Sequence, residues 1–476
     1  MSEHKVPKIQ RALVLQGGGA LGAYDAGVFQ ALFEKINMGH DGSLFDIVAV
    51  TSSGAMNAAI LVSNVLEKNW DHAASKLNEF WDYVSTNPYI QNIPGFSIWW
   101  KNLHNVDPSA ASEEAARRYY STKQFLFTGV QNVFLPPPFP RPDTKFFDPQ
   151  NIWPVYNNQP LKDSIEKFAK FPIATSFKEN QKQPRLLLVS VDVLEGAVVT
   201  FDSYPKVDDG RRSEYGDYYP SDSRNGTNNK KDGRSEYTIS YDHGIVSDYA
   251  IASGSVPINY DYAKIEANKL TIDNQGNERI EKVKRYFWDG GIASNTPLRE
   301  LIQAHKDYWL DVKGKGEVNA PIPDLEVYIA DVWPTKQANI PIDHDGVINR
   351  NYDLLLNDKT DYDEKVANIV SDYIKFVSSM RDLAVEAIDG IVDTNKKKMF
   401  QSKLDSIFKT KAKSSHRSGD PRIYQDLVKG RFDIDVKRIE RISNIDNDIS
   451  NKLFDYSADT IKQLIRDGYE DALKKF

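Results

Sequence analysis

Between residues 11 and 66 short apolar runs alternate with turns and helix-spaced stretches. Residues 11–16 (RALVLQ) read as a buried strand, 17–22 (GGGALG) as a glycine loop, and 23–36 as a helix. Phe45 to Val50 reads as a second strand and Ala55 to Leu66 as the next helix. This alternation predicts an α/β fold with a mainly parallel central sheet. Strands are expected again at 185–194, 197–204, 285–288 and 325–332. From about residue 340 the pattern turns helical. Val366, Ile369, Val370, Tyr373, Ile374, Val377 and Met380 recur at helical spacing and read as a core-facing stripe. Residues 432–436 (FDIDV) alternate like a strand, and a closing amphipathic helix carries Ile461, Leu464, Ile465, Ala472 and Leu473.

Two segments break the pattern. Residues 86–160 are rich in proline and aromatics, which predicts few regular elements. Their Phe96, Ile98, Trp99, Trp100, Phe134, Leu135, Phe139 and Trp153 read as an irregular cover over the core; the alternative is a lid or interfacial patch. Residues 205–236 are polar and contain an echo, DGRRSEY and DGRSEY, which reads as a mobile, solvated hairpin tip. The expected organisation is a main α/β domain over 9–335 carrying both segments, and a mostly helical C-terminal extension over 336–476 packed on it.

Composition narrows the function classes. The chain has 476 residues, 40% hydrophobic and 27% charged, which is ordinary globular usage. A net charge of -7 gives no support to a nucleic-acid partner. There is no cysteine, which excludes disulfides, thiolate metal sites and a cysteine nucleophile. No metal-ligand cluster is visible, so neither metal nor cofactor is expected. The first ten residues lack the apolar core of a signal peptide, and no run approaches the length of a bilayer span. A soluble, cytoplasmic protein is expected, at most peripheral at a membrane; oligomeric state is not legible.

Three stretches carry candidate chemistry. Glycines after a strand and before a helix leave bare N–H groups where an anion could sit. The loop lacks the Lys-Ser/Thr of a Walker loop, since Gly22 is followed by Ala23-Tyr24. A dinucleotide loop would want an acidic residue ending the second strand, where Val50-Thr51-Ser52 stands instead. An oxyanion hole or a plain tight turn remains open beside it. Ser52, between strand and helix with Gly54 two residues on, suits a nucleophile elbow, or equally an N-cap. Asp289 ends an aromatic strand and is followed by Gly290 and Gly291; on spacing alone this is also a common Asp-Gly turn. Asn295 or Thr296 would cap a helix starting at Pro297.

Together, GGGALGAYDAGVFQAL, TSSGAMNA and WDGGIASNTPL, in that order, resemble the patatin-like phospholipase family. ASGSVPINY (252–260) is similar to a family stretch between nucleophile and aspartate, and the tail 454–473 to the extension of a bacterial and archaeal branch. The resemblance implies a three-layer α/β/α fold and a serine–aspartate dyad, with Ser52 as nucleophile and Asp289 as base. It implies oxyanion donors from Gly17, Gly18 and Gly19, with Gly22 completing the substrate-binding loop, and support from Gly54, Gly290 and Gly291. The implied activity is hydrolysis of lipid acyl esters through an acyl-enzyme, with no cofactor. Two positions depart from the family pattern. Val50 stands where the elbow usually has glycine, and Leu21 where many members carry Arg or Lys. Val50 makes a catalytically weak or dead lipid-binding protein the main alternative, with a nucleotide-binding oxidoreductase behind it.

Overall fold

The computed structural model describes residues 6–36, 43–88, 110–136, 155–177, 183–216, 234–272, 277–313, 322–411, 423–442, 449 and 451–476. Ten strands are present among them: β1 (Ile9–Leu15), β2 (Ile47–Thr51), β3 (Arg185–Asp192), β4 (Ala197–Asp202), β5 (Arg212–Tyr215), β6 (Arg234–Ser240), β7 (Ala263–Ile272), β8 (Glu278–Asp289), β9 (Asp324–Asp331) and β10 (Ile434–Glu440). The helices that matter below are α1 (Gly22–Lys35), α2 (Ser53–Glu67), α3 (Trp70–Val84), α4 (Ala110–Thr128), α5 (Gln159–Phe168), α6 (Ser247–Ser253), α7 (Leu298–Lys313), α8 (His344–Leu356), α9 (Asp361–Asp389), α10 (Thr394–Phe408), α11 (Tyr424–Leu427) and α12 (Ala458–Leu473).

The strands form one mixed sheet. β10, β9, β1, β2 and β3 run parallel, and β8, β7, β6 and β5 continue it antiparallel. All residues of β2 and β3 are buried, as expected of parallel strands covered on both faces. Alternation along β1 divides the core. Leu13 and Leu15 join α1, α2, α3 and α12 on one face; Ala12 and Val14 meet Leu298, Leu301 and Trp309 of α7 on the other. This is the α/β fold with a mainly parallel central sheet that the sequence pattern predicts, in the three layers that the resemblance implies.

The C-terminal region joins this core directly. β10 pairs with β9 over seven residues, from Ile434 opposite Leu325 to Glu440 opposite Asp331. α12 lies across α1, and the two backbones touch at glycines. A Cβ at Gly27 would collide with the Ile465 carbonyl, and one at Gly468 with the Tyr24 carbonyl. Leu464, Ile461 and Ala472 of α12 are buried in the main core cluster.

Three sequence expectations need correction. Within 86–160, residues Ala110–Thr128 form a 19-residue helix, α4. Proline and aromatics crowd its flanks and mask its own helix-forming run. Phe134 is buried and Leu135 is exposed; Phe96, Ile98, Trp99, Trp100, Phe139 and Trp153 lie outside the described residues. Within 205–236, the echo is a pair of strands. RSEY of β5 pairs antiparallel with β6, Tyr215 opposite Tyr237, their rings stacked at 5.4 Å. Ser213 Oγ then donates to the Thr200 carbonyl of β4 at 2.6 Å, closing that end of the sheet. Residues 217–233 of this segment lie outside the described residues. Finally, the stripe on α9 is real but not core. Of its seven residues only Ile374 is buried. Periodicity reports which residues share a helix face, not whether anything covers it.

The α1–α12 crossing gives a test. Alanine in place of a helical glycine normally stabilises by about 1 kcal/mol. Here Gly468→Ala must push two backbones apart, so the variant should be less stable by about 1–3 kcal/mol and melt at lower temperature. A raised melting temperature would mean the helices do not meet at this residue.

Candidate active site

The register of the sheet brings the two candidate residues together. β4 occupies one edge of β3, opposite Leu187 through Asp192. β2 and β8 share the other edge in succession. β2 ends with Thr51 opposite Val189, and β8 takes the next place with Asp289 opposite Ser190. Residues 52 and 289 therefore leave the same seam of the sheet.

Ser52 turns sharply out of β2. Its backbone has φ 57° and ψ -123°, a conformation that costs of order 1–3 kcal/mol for a residue with a side chain. Several contacts hold it there. The Ser52 N–H donates to Ser253 Oγ at 2.9 Å, and Ser253 Oγ donates to the Val189 carbonyl at 2.6 Å. The Ala55 N–H donates to the Ser52 carbonyl at 2.8 Å, starting α2. A Cβ at Gly54 would stand 2.5 Å from the Leu15 carbonyl, so glycine lets α2 return across β1. The Ser52 side chain makes no capping bond to α2, which sets aside the N-cap alternative. Its hydroxyl reaches the Asp289 carboxylate instead.

Asp289 is buried, with 4% of its surface exposed. Loss of solvent pushes its carboxyl up to about 6, while hydrogen bonds from the Ser52 hydroxyl and the Gly291 N–H, the latter 2.6 Å, pull it back. Its own N–H donates to the Ser255 carbonyl at 2.9 Å. Both serines of the 252–260 stretch thus hold the site from α6 and the turn after it.

The glycine loop is tied down by residues that follow Asp289. The Gly17 N–H donates to Asn295 Oδ1 at 3.1 Å, and Asn295 Nδ2 donates to the Gly17 carbonyl at 3.3 Å and to that of Leu356 at 2.7 Å. Gln16 Nε2 donates to Thr296 Oγ1 at 2.7 Å. Asn295 and Thr296 are therefore engaged with the strand end of β1, not with capping α7 as expected; the loop passes close enough to compete for both side chains. Trp333 Nε1 also donates to the Gly17 carbonyl, at 2.6 Å. The Gly18 N–H donates to Ser53 Oγ at 3.0 Å, and the Gly22 N–H to carbonyls within the loop. Gly19, at φ 58°, is the loop glycine that lines the cavity beside Ser52. A loop whose Gly17, Gly18 and Gly22 donors are already bonded is a poor cradle for a dinucleotide pyrophosphate.

Ser52 and Gly19 line a cavity whose other walls are almost wholly apolar: Met56 of α2, Phe80, Trp81 and Val84 of α3, Leu161 of α5, and Val256 and Tyr260 beyond α6. Val133 contributes from the connection after α4, and Leu453, Phe454 and Tyr456 from the C-terminal region. Val50 and Leu21, the two departures from the family pattern, are fully buried in the main core cluster and do not line this cavity. The C-terminal wall and Asn295 were not legible as site residues. Asn295 carried a signal, six residues after Asp289, but its position before a proline suggested a cap.

Burying Asp289 has a consequence for stability. The native carboxyl keeps its proton to higher pH than the unfolded chain does. Its contribution is therefore whole below about pH 4 and lost as pH rises through about 6. Asp289→Asn, which keeps an acceptor for the Gly291 N–H, should be more stable than the parent at pH 8 by up to about 3 kcal/mol. The gain should fade toward pH 4. Denaturant or thermal melts across this range measure it, and a variant less stable at pH 8 would contradict the assigned burial.

Among the described residues, no helix is long and apolar enough to cross a membrane, and no group of three or more His, Asp or Glu side chains could hold a metal ion. No curated protein matches the chain. Residues 13–302 match the family described as patatin-like phospholipase, from β1 into α7, which takes in the glycine loop, the Ser52 turn and the Asp289 strand end. With more than half its length so matched, this chain belongs to the patatin-like phospholipase family.

Proposed function

We propose that the chain is a serine acyl-ester hydrolase, acting on lipids, in which Ser52 and Asp289 form the catalytic dyad. One observation carries this reading: a buried carboxylate accepts the hydroxyl of a serine held at positive φ, and that serine lines an apolar cavity. Neither feature is explained by stability, since both the strained turn and the buried charge are unfavourable for folding.

In the first half-reaction Ser52 Oγ attacks the ester carbonyl and its proton passes to Asp289. The carbonyl oxygen becomes an oxyanion beside the glycine loop, where Gly19, on the cavity wall, offers its N–H as donor. The tetrahedral intermediate collapses, the alcohol leaves with the proton from Asp289, and the acyl group stays on Ser52. Water then attacks the acyl-enzyme, again giving its proton to Asp289. The second collapse releases the fatty acid and returns the proton to Ser52. Gly17 and Gly18, expected with Gly19 as oxyanion donors, already give their N–H groups to Asn295 Oδ1 and Ser53 Oγ, so in this reading they and Gly22 shape the loop. Gly54, Gly290 and Gly291 allow the two turns that carry the dyad.

A carboxylate with an ordinary value near ~4 would be a feeble base for a serine; a value raised toward that of imidazole narrows the difference. The acyl chain of the substrate would lie in the apolar cavity, which suits a lipid better than a polar ester. Contact with a lipid surface and residence in the cytoplasm fit this substrate class.

Steady-state hydrolysis of a fatty acyl ester tests the proposal. kcat/KM should rise with pH through a value of about 6, because the base must be ionised. Ser52→Ala should lose activity by at least 10³-fold with its fold intact. Activity that survives this substitution would overturn the nucleophile, and a flat profile from pH 5 to 8 would overturn the base.

A further inference from the structure

The cavity beside Ser52 is not completed by the part of the chain that matches the family. Leu453, Phe454 and Tyr456 line it, about 150 residues beyond the end of the match at 302. The short 3₁₀ turn Lys452–Phe454 and the two residues after it are fastened unusually well for an irregular segment. Lys452 Nζ pairs with Asp353 Oδ1 of α8 at 2.6 Å, with side chains 2% and 1% exposed. Arg118 Nε of α4 pairs with Asp455 Oδ2 at 3.1 Å, with side chains 5% and 0% exposed. Removing one partner of such a buried pair is strongly destabilising, so each pair fixes the segment in one place. The Thr86 N–H donates to the Tyr456 carbonyl at 2.9 Å, tying the segment to the end of α3.

The segment also bears on the glycine loop. Gly19, at φ +58°, lies so close that a Cβ there would stand 2.5 Å from the Leu453 carbonyl. Lys452 sits over the Trp333 ring at 5.2 Å, and that ring's N–H holds the Gly17 carbonyl. Phe454 packs on Phe134 at 5.5 Å and Tyr156 at 6.1 Å, which back it, and Tyr456 stacks on Trp81, itself a cavity wall, at 6.4 Å. These rings are buried, so the wall is packed and cannot give way to a longer substrate at low cost.

We infer that the segment Leu453–Tyr456 is the specificity-determining wall of the acyl cavity, with Phe454 its main bulk, so that the C-terminal region sets the length of acyl chain accepted. The inference rests on the hydrolase reading for its substrate class. It assigns to a region outside the matched span a role in substrate choice, and it explains why two buried ion pairs anchor a few residues without regular structure.

The test uses the full-length chain and an acyl series of p-nitrophenyl esters from four to sixteen carbons. Phe454→Ala should move the optimum to longer chains, with about a 4-fold gain in kcat/KM per added methylene until the new space is filled. Phe454→Trp should move it the other way. Phe454→Leu is the milder substitution if the alanine variant does not fold, and should give a smaller shift of the same sign. Competition by free fatty acids of the same lengths against a fluorescent fatty acid reads the cavity without any chemistry. A shifted binding profile in a chain that hydrolyses no ester would overturn the hydrolase reading and keep the wall. Folded variants whose hydrolysis and binding both keep the parent's chain-length profile would overturn the wall.

Discussion

The structure depends on the edge of β3 at Val189 and Ser190. Two strands that are far apart in sequence and opposite in direction share it, β2 arriving parallel and β8 antiparallel. Because β2 stops where β8 begins, both strand ends open at one point, and whatever follows Thr51 must face whatever ends β8. A shift of either strand by one residue would turn its side chains to the other face of the sheet. The seam is held from a third direction by Ser253, whose hydroxyl joins the Val189 carbonyl to the Ser52 N–H.

Around this seam the chain accepts two unfavourable features. Ser52 is held at positive φ, and Asp289 is held out of water. Both are compensated by neighbours that do no chemistry of their own. Gly54 lets α2 pack against β1, the large core behind it fixes the turn, and Asn295 binds the glycine loop to the residues following Asp289. The loop is consequently more closed than three bare glycines suggest. The Gly17, Gly18, Leu21 and Gly22 N–H groups already have acceptors, and the loop meets the cavity at Gly19, next to the wall supplied by the C-terminal region.

Much of this was legible in the sequence, for identifiable reasons. The central strands are short, largely apolar runs that end near glycine, serine or proline, so β1, β2, β3 and β9 stand out within a residue or two at their ends. The three motifs sit at strand ends, where a short local pattern carries geometry. What was not legible depends on packing at a distance. The α9 stripe has perfectly good helical spacing, yet Val366, Ile369, Val370, Tyr373, Val377 and Met380 stay exposed or half-exposed. Asn295 reads locally as a cap because the partner that claims its amide, Gly17, lies 278 positions away. The C-terminal wall carries no motif; Leu453 and Phe454 are ordinary apolar residues until the fold sets them beside Gly19 and Phe134. The RSEY echo was visible, but only the register of β5 against β6 gives it meaning.

The central claim is that the seam on β3 makes Ser52 a nucleophile activated by Asp289. Reaction with a fluorophosphonate followed by peptide mapping addresses it most directly, since the reagent forms a stable bond to an activated serine and needs no knowledge of the substrate. A single adduct on Ser52 is expected in the parent chain at neutral pH, with labelling slowed at least 100-fold in Asp289→Asn. An adduct on Ser53 or Ser253, or equal labelling of the folded Asp289→Asn variant, would contradict it.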